Sequence, residues 1–325
     1  MIAYVIRRIL YGIPILIGVN VLTFALFFVV NTPDDMARIH LGAKHVTADA
    51  IQKWKVEHGY DKPLFYNPKG AGVQKISNTV FYKKSVRFLA FKFGEADDGR
   101  DIGYDIKTRM WPSLAIAVPV LIIGLLINVT FAMLLAFFRG TYLDFSGVVL
   151  CVAMMSVSSL FYIIAGQYLL SMLLHLAPIS GYQPGLDAIK FIALPVIVSL
   201  IAHLGSEVRW YRTIFLEEIG KDYVRTARAK GLSELKVLFR HVLKNAMIPI
   251  LTGVVVVIPT LFMGSLITES FFGIPGLGSY TIDAILSQDF AIVHAMVFLG
   301  ALLYILGLIL TDISYTLVDP RIRLS

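Results

Sequence analysis

A single cysteine, Cys151, in 325 residues excludes a disulfide framework and a thiolate metal cluster. Charge is scarce too: 16% of residues are Asp, Glu, Lys or Arg, where soluble domains carry about 25%. An ordinary soluble domain is therefore excluded. The sequence contains no Gly-x-x-x-x-Gly-Lys-Ser/Thr phosphate loop, no His-Glu-x-x-His and no Gly-x-Ser-x-Gly. The chain alone thus offers no cradle for ATP, no zinc-protease helix and no hydrolase nucleophile. His40, His45 and His58 lack compact metal-ligand spacing, so no metal or other cofactor is expected in this chain. Repeats of solenoid length and low-complexity tracts are missing as well.

Apolar residues make up 57% of the chain, with a mean hydropathy of +0.74. A helix crosses a bilayer in about 20 residues, and runs that meet this fall at 9–30, 113–138, 145–174, 190–206, 246–268 and 291–316. The fold class expected is all-α and polytopic, with six transmembrane helices. Lys and Arg in short loops mark the cytoplasmic side. Arg7 and Arg8, Arg139, nine basic residues between Arg209 and Lys244, and Arg321 with Arg323 all fall on one side, whereas 176–190 carries only Lys190 and 271–290 no basic residue. Both termini are therefore expected in the cytoplasm. The run Ile9–Val30 is longer than a signal-peptide core, and Val29-Val30-Asn31 offers no cleavage site, so it reads as a retained first span.

This divides the chain into an N-terminal transmembrane helix (1–30), an external subdomain (31–111) and a five-helix domain (112–325) with a cytoplasmic loop at 207–245. Loops beyond about 60 residues cross irrespective of charge, which reconciles the basic residues of 31–111 with an outer location. In that segment Thr47 is placed to cap a helix through Trp54 and Val56, and the rest reads as loop with short strands. Pro112, Pro119, Pro195, Pro249 and Pro259 should kink the spans. The net charge of +7 concentrates on the inner face and suits membrane lipid and a docking partner; basic patches interleaved with aromatics are missing, so nucleic acid is excluded.

The 207–245 loop is the most informative segment. Leu216, Ile219, Tyr223 and Ala227 recur at helical spacing opposite Lys221, Arg225 and Arg228, an amphipathic helix. Gly231 supplies a left-handed stop, Ser233 a cap for the next helix, and Leu235, Leu238, Phe239 and Val242 a second stripe. The result is a helix, a glycine corner and a helix. Two uses are open on this pattern alone: insertion into a groove of a soluble protein, or adsorption to anionic lipid.

Asp222-Tyr-Val-Arg-Thr-Ala-Arg-Ala-Lys-Gly231 resembles the coupling loop of ATP-binding-cassette importer permeases of the dipeptide, oligopeptide and nickel family. Arg225, Thr226 and Ala227 stand where many permeases have Glu-Ala-Ala. Further similar segments are Tyr4 to Arg8 with Pro14, Gly59 to Leu64, Ala177 to Tyr182, Leu194-Pro195, Arg209 with Arg212, Arg240-His241, Asn245-Ala246 with Pro249, Glu269 to Gly278, and Asp312 to Arg321. The chain departs from the pattern at Glu95, after Phe93-Gly94 where serine is usual, and at Ser158, where proline is common. The resemblance implies a permease subunit translocating short peptides, with nickel or oligosaccharide as alternatives. It also implies a second homologous permease, two ATPase subunits holding ATP and Mg, and an external substrate-binding protein. Arg225, Thr226, Ala227, Arg228, Lys230, Gly231 and Ser233 would form the ATPase-coupling corner in an alternating-access cycle.

Polar side chains inside lipid are costly, by about 2.5–3.5 kcal/mol for a charge at the bilayer centre. Asn128, Thr130, Ser156, Ser158, Ser159, His203, Ser265, Thr268 and Glu269 should face protein or a water-filled path. Of these, Asn128, Ser156, Ser158, Ser265 and Thr268 are candidates for the pathway. Glu269, with Pro275, Gly276 and Gly278, is a candidate outer gate, with ligation of a substrate amine as a weaker role. An autonomous secondary transporter would need a carboxylate at midspan, and none falls in the middle of any span drawn above.

Overall fold

The computed structural model describes residues 2–42, 46–68 and 72–318; His45, Arg321 and Arg323 lie outside them. Among the described residues every named element is helical. The first span is α1 (Ile2–Phe24), continued by a π-helical turn to Val30. Short helices follow: α2 (Pro33–Leu41), α3 (Ala48–Glu57), α4 (Gln74–Ser77) and α5 (Val80–Lys84). The short strands expected there are absent among the described residues, reduced to one Glu95–Asp101 bridge. Gly and Pro punctuate the segment too often for strand runs, while threonines supply helix starts. Thr32 forms a capping box with Asp35, and the Thr47 hydroxyl accepts from the Ala50 amide at 3.3 Å, as its position predicts.

The remaining helices are α6 (Ile102–Phe137), α7 (Tyr142–Met155), α8 (Ser159–Gly166) with a π-helical tail to Leu173, α9 (Ala188–Ile219), α10 (Asp222–Ala229) and α11 (Glu234–Val237). After a π-helical turn come α12 (Lys244–Thr260), α13 (Leu266–Phe272), α14 (Leu277–Ser287) and α15 (Phe290–Val318). Five segments are long and apolar enough to cross a membrane: Ile6–Val30, Ile102–Phe137, Gly185–Ile219, Glu234–Met263 and Phe290–Ser314. The pair α7 and α8 makes a sixth when taken as one broken span, bent by 90°. This break contains no proline; Pro112 and Pro119 lie inside the unbroken α6. Ser158 is extended (φ −66°, ψ 146°), and the Tyr162 hydroxyl donates to the Met154 carbonyl across the break at 2.9 Å. A side chain thus satisfies a backbone group that the lost helical turn releases.

The chain forms two compact units. One comprises residues up to Arg109 with Tyr280–Ile309. Its core gathers Phe24, Phe28, Met36, Trp54, Tyr60 and Val80. Asn20 donates to the Ser85 carbonyl at 3.0 Å, while its own amide oxygen accepts from the Ser85 hydroxyl and meets His294 Nε2 at 2.9 Å. Here too Asp97, buried against Asp289, has its carboxyl raised to about 6, by desolvation first and the second carboxylate next. His40 meets Asp97 at 3.2 Å, and His58 is held between the Trp54 and Asp97 carbonyls.

The other unit comprises Met110–Ser279 with the chain from Leu310. In it α7 lies directly on α9. A side chain at Gly205 would meet the Cys151 carbonyl at 2.5 Å and Met154 Cβ at 3.1 Å, so Cys151 serves here as a small packing residue. Small residues at such crossings are how membrane helices approach closely. Arg212 of α9 forks onto Asp144 of α7 at 2.8 and 2.7 Å, and Asp144 also accepts the Gly140 amide. Replacing Gly205 by Val forces these helices apart, and overpacking of this kind costs about 1–3 kcal/mol. Thermal unfolding of the detergent-purified chain should therefore shift downward by several degrees; an unchanged transition would contradict the close crossing.

Candidate functional site

The glycine corner forms as its sequence dictates, with different helix boundaries. Leu216 and Ile219 belong to α9, which runs on to Ile219 before Gly220 breaks it, so the stripe drawn from Leu216 to Ala227 is divided between two helices. The apolar window stopped before Glu207, but backbone hydrogen bonding does not, and a helix leaving lipid continues on an amphipathic face. In α10 the buried residues are Val224, at 0% exposure, and Ala227. They join a core containing Ala132, Ala136, Phe215, Val237, Leu238, Val242 and Ala246.

Gly231 has φ +77°. Its amide donates to the Arg228 carbonyl at 2.9 Å, and that of Leu232 reaches back to Ala227 at 3.4 Å. These two bonds are the pair that closes a helix through a left-handed glycine. Ser233 stands at the N-cap of α11 with extended backbone, but its side chain makes no capping bond. That helix is one turn long and is carried by its continuation into the fifth span, Glu234–Met263. The second stripe is also divided. Leu238 and Val242 are buried, whereas Leu235 and Phe239 are 58% and 54% exposed; a π-helical turn at Leu238–Leu243 rotates the faces.

Charges rim the corner. Arg228 forks onto Glu234 at 2.9 and 3.1 Å, tying α10 to α11 across the glycine. Arg225 lies 3.4 Å from Asp222 with both side chains largely exposed, a pairing that contributes little in water. Thr226 and Lys230 are exposed. Glu218, at the end of α9, was not anticipated as a site residue, although an acidic pair in a basic loop was a visible signal. It is buried, binds Lys221, and accepts from the Tyr223 hydroxyl at 2.5 Å. Burial first and this carboxylate second push the Tyr223 phenol up to about 12. The corner is therefore seated from below by Val224 and Ala227, and clamped at its base by Glu218.

At the other candidate site Glu269 is 1% exposed. Its Oε1 accepts the Ser265 amide at 3.2 Å, and its Oε2 accepts the amides of Gly278 at 2.7 Å and Ser279 at 3.1 Å. The latter two open α14, whose dipole favours a negative charge there. Ser113 of α6 donates to the same carboxylate and accepts the Leu277 amide at 2.8 Å. Burial raises the Glu269 pKa and these donors oppose it. A side chain on Gly264 or Gly276 would collide with the carboxylate, and one on Gly278 would meet the Ser265 backbone at 2.6 Å. The turn with Pro275 is thus folded onto Glu269. Gly181 of the preceding loop donates to the Phe272 carbonyl at 2.8 Å, and Gln167 to the Ile179 and Phe271 carbonyls.

Ser265, Thr268 and Glu269 line one end of a cavity of about 300 Å³ between α6, α9, α12 and α13. Asn128 is one hydrogen bond away: its amide donates to Glu207 at 2.5 Å, and Glu207 lines the cavity with His203 and Tyr211. The structure does not bring Ser156 and Ser158 there; they sit at the α7–α8 break, with Ser156 bonded to the Val152 carbonyl. Glu207, placed from sequence in the loop after the fourth span, lies inside α9.

Residues 128–324 match the family of binding-protein-dependent transport system inner membrane components, and residues 1–69 match that family's N-terminal region. Among similar proteins, a peptide permease protein of Brucella suis biovar 1 is 30% identical over the whole of both chains. The dipeptide transport system permease protein DppB of Escherichia coli K12 is 29% identical over 99% of each. A peptide transport system permease protein of Brucella abortus is likewise 29% identical over 99% of each. With its apolar helices and its glycine corner in the matched region, this chain belongs to the binding-protein-dependent transport system inner membrane component family and is a multi-pass membrane permease.

Proposed function

We propose that the chain is one of two permease subunits of an ATP-driven importer of short peptides in a bacterial inner membrane, with both termini cytoplasmic and the segment after α1 outside. The observation that carries the coupling part is the corner at Arg225–Gly231. It is seated on a buried apolar core yet presents Arg225, Thr226 and Lys230 outward. A rigid knob with an exposed charged rim suits a groove on a soluble ATPase, where apolar contact supplies affinity and charge sets register. A lipid-adsorbed helix would instead turn its apolar face outward, and here that face is occupied by Phe215, Val237 and Val242.

In the proposed cycle ATP and Mg are held by partner subunits. Closure of the ATPase pair carries the corner with it, and the spans reorient to admit peptide from an external binding protein. The Glu269 turn holds the outer end of α14 in place through the cycle. The peptide class rests on the relatives named as peptide and dipeptide permeases. It is tested by purifying the assembled complex and measuring ATP hydrolysis with binding protein loaded with dipeptide, nickel or an oligosaccharide. Dipeptide alone should stimulate hydrolysis; stimulation by nickel or sugar alone would replace the peptide reading.

A further inference from the structure

We propose that Glu207 and His203 form a receptor for a primary ammonium group inside the cavity, used as a peptide passes. This rests on the peptide reading above. The His203 Nδ1 lies 2.8 Å from the Ser199 carbonyl. A carbonyl only accepts, so Nδ1 carries the proton, and the tautomer protonated there alone presents Nε2 as an acceptor. One helical turn further, Glu207 Oε2 is bonded to Asn128, a residue only 3% exposed. Among the described residues no donor is placed on Oε1.

His203 and Glu207, four residues apart on α9, share one helical face and both border the cavity. The rest of its lining includes Val120, Leu121, Val254 and Val257, and no Lys or Arg. An apolar wall strengthens the attraction of a carboxylate for a cation. The other carboxylate in the cavity, Glu269, has both oxygens engaged by backbone amides. The amine-binding role considered for Glu269 from sequence therefore passes to Glu207. A primary ammonium has three donors and no acceptor, so it can give one hydrogen to Glu207 Oε1 and one to His203 Nε2. A peptide carries such a group at its amino terminus or on a lysine side chain.

The test uses the full chain with the subunits that co-purify with it, carrying Cys151→Ser and a reporter, Val257→Cys, in the cavity wall. Maleimide labelling of the reporter is followed with millimolar n-butylammonium, alanyl-alanine, N-acetyl-alanyl-alanine or N-acetyl-alanyl-lysine. The three ammonium-bearing compounds, N-acetyl-alanyl-lysine among them, should slow labelling, and N-acetyl-alanyl-alanine should not. Glu207→Gln, which keeps the oxygen facing Asn128 but removes the charge, should raise the half-protecting concentration about tenfold, and Glu207→Asp should restore part of it. Equal protection in Glu207→Gln and parent, or none by n-butylammonium in the parent, overturns the receptor and leaves Glu207 as a packing partner of Asn128. Protection by n-butylammonium but by no peptide would keep the ammonium site and refute the peptide reading, so the two failures are distinct.

Discussion

Gly231→Leu is expected to abolish uptake while leaving the chain folded and inserted. Two effects compete at this position, and their sizes decide the outcome. The backbone sits at φ +77°, and a side chain built there meets nothing within 4 Å. The substitution therefore creates no internal clash, only the left-handed penalty of about 1–2 kcal/mol. Loss of that size leaves most domains folded, since their stability is about 5–15 kcal/mol. On the outside the consequences differ. A leucine projects from the tip of the corner, where the proposed ATPase groove must close around bare backbone, and a shape mismatch at the centre of an interface removes most of its affinity. Membrane abundance should match the parent while co-purifying ATPase and peptide uptake both vanish. Gly231→Asn, a residue that tolerates the left-handed region, should keep more uptake than Gly231→Leu. If Gly231→Leu transports normally, the corner is not the point of coupling.

That corner was legible because its determinants are local. A glycine just past an eight-residue helix specifies its own turn through two backbone hydrogen bonds, its own amide to Arg228 and that of Leu232 to Ala227. What lay outside sequence reasoning was the partition of its apolar residues. Leu235 and Phe239 obey helical periodicity, yet the π-helical turn that follows α11 leaves them exposed while Val237 is buried. A one-residue insertion of this kind leaves no mark on the spacing. Ser233 occupies its expected cap position without the expected bond, because α11 borrows its stability from the span it joins.

The misplaced boundaries have a common cause. Apolar windows end where charge begins, so the fourth span was drawn to stop before Glu207, although helical hydrogen bonding continues thirteen residues further to Ile219. The carboxylate that the structure sets beside Asn128 was thereby assigned to a loop. The α7–α8 break was equally hidden, since no proline marks it. Its stabilising contact, Tyr162 hydroxyl to Met154 carbonyl, spans eight residues and has no signature in periodicity. By contrast, the burial of Glu269 was foreseeable from its place beside Phe271-Phe272-Gly273 and from the expense of an unpaired charge near lipid, though not the identity of its donors, which come from residues as distant as Ser113.

Those donors make Glu269→Leu the substitution with the largest expected effect on folding. The side chain removed accepts the backbone amides of Ser265, Gly278 and Ser279. Its replacement has no acceptor, and the site is closed to water at 1% exposure. The amides of Gly278 and Ser279 are buried, and each buried amide left without a partner costs about 1–3 kcal/mol, so a total of about 2–6 kcal/mol is expected. Glu269→Gln separates charge from hydrogen bonding. Its single carbonyl oxygen can serve Gly278 and Ser279, while its NH₂ faces the Ser265 amide, a donor against a donor, so a loss of about half that size is expected. Both are measurable as shifts of the unfolding midpoint in detergent with rising denaturant. A cysteine placed at Ser279 supplies a local readout, being slow to label in the parent and faster in Glu269→Leu once the start of α14 is released. If Glu269→Leu unfolds at the parent's midpoint and Ser279→Cys stays protected, the carboxylate does not fasten this turn, and the outer-gate role proposed for Glu269, Pro275, Gly276 and Gly278 loses its physical basis.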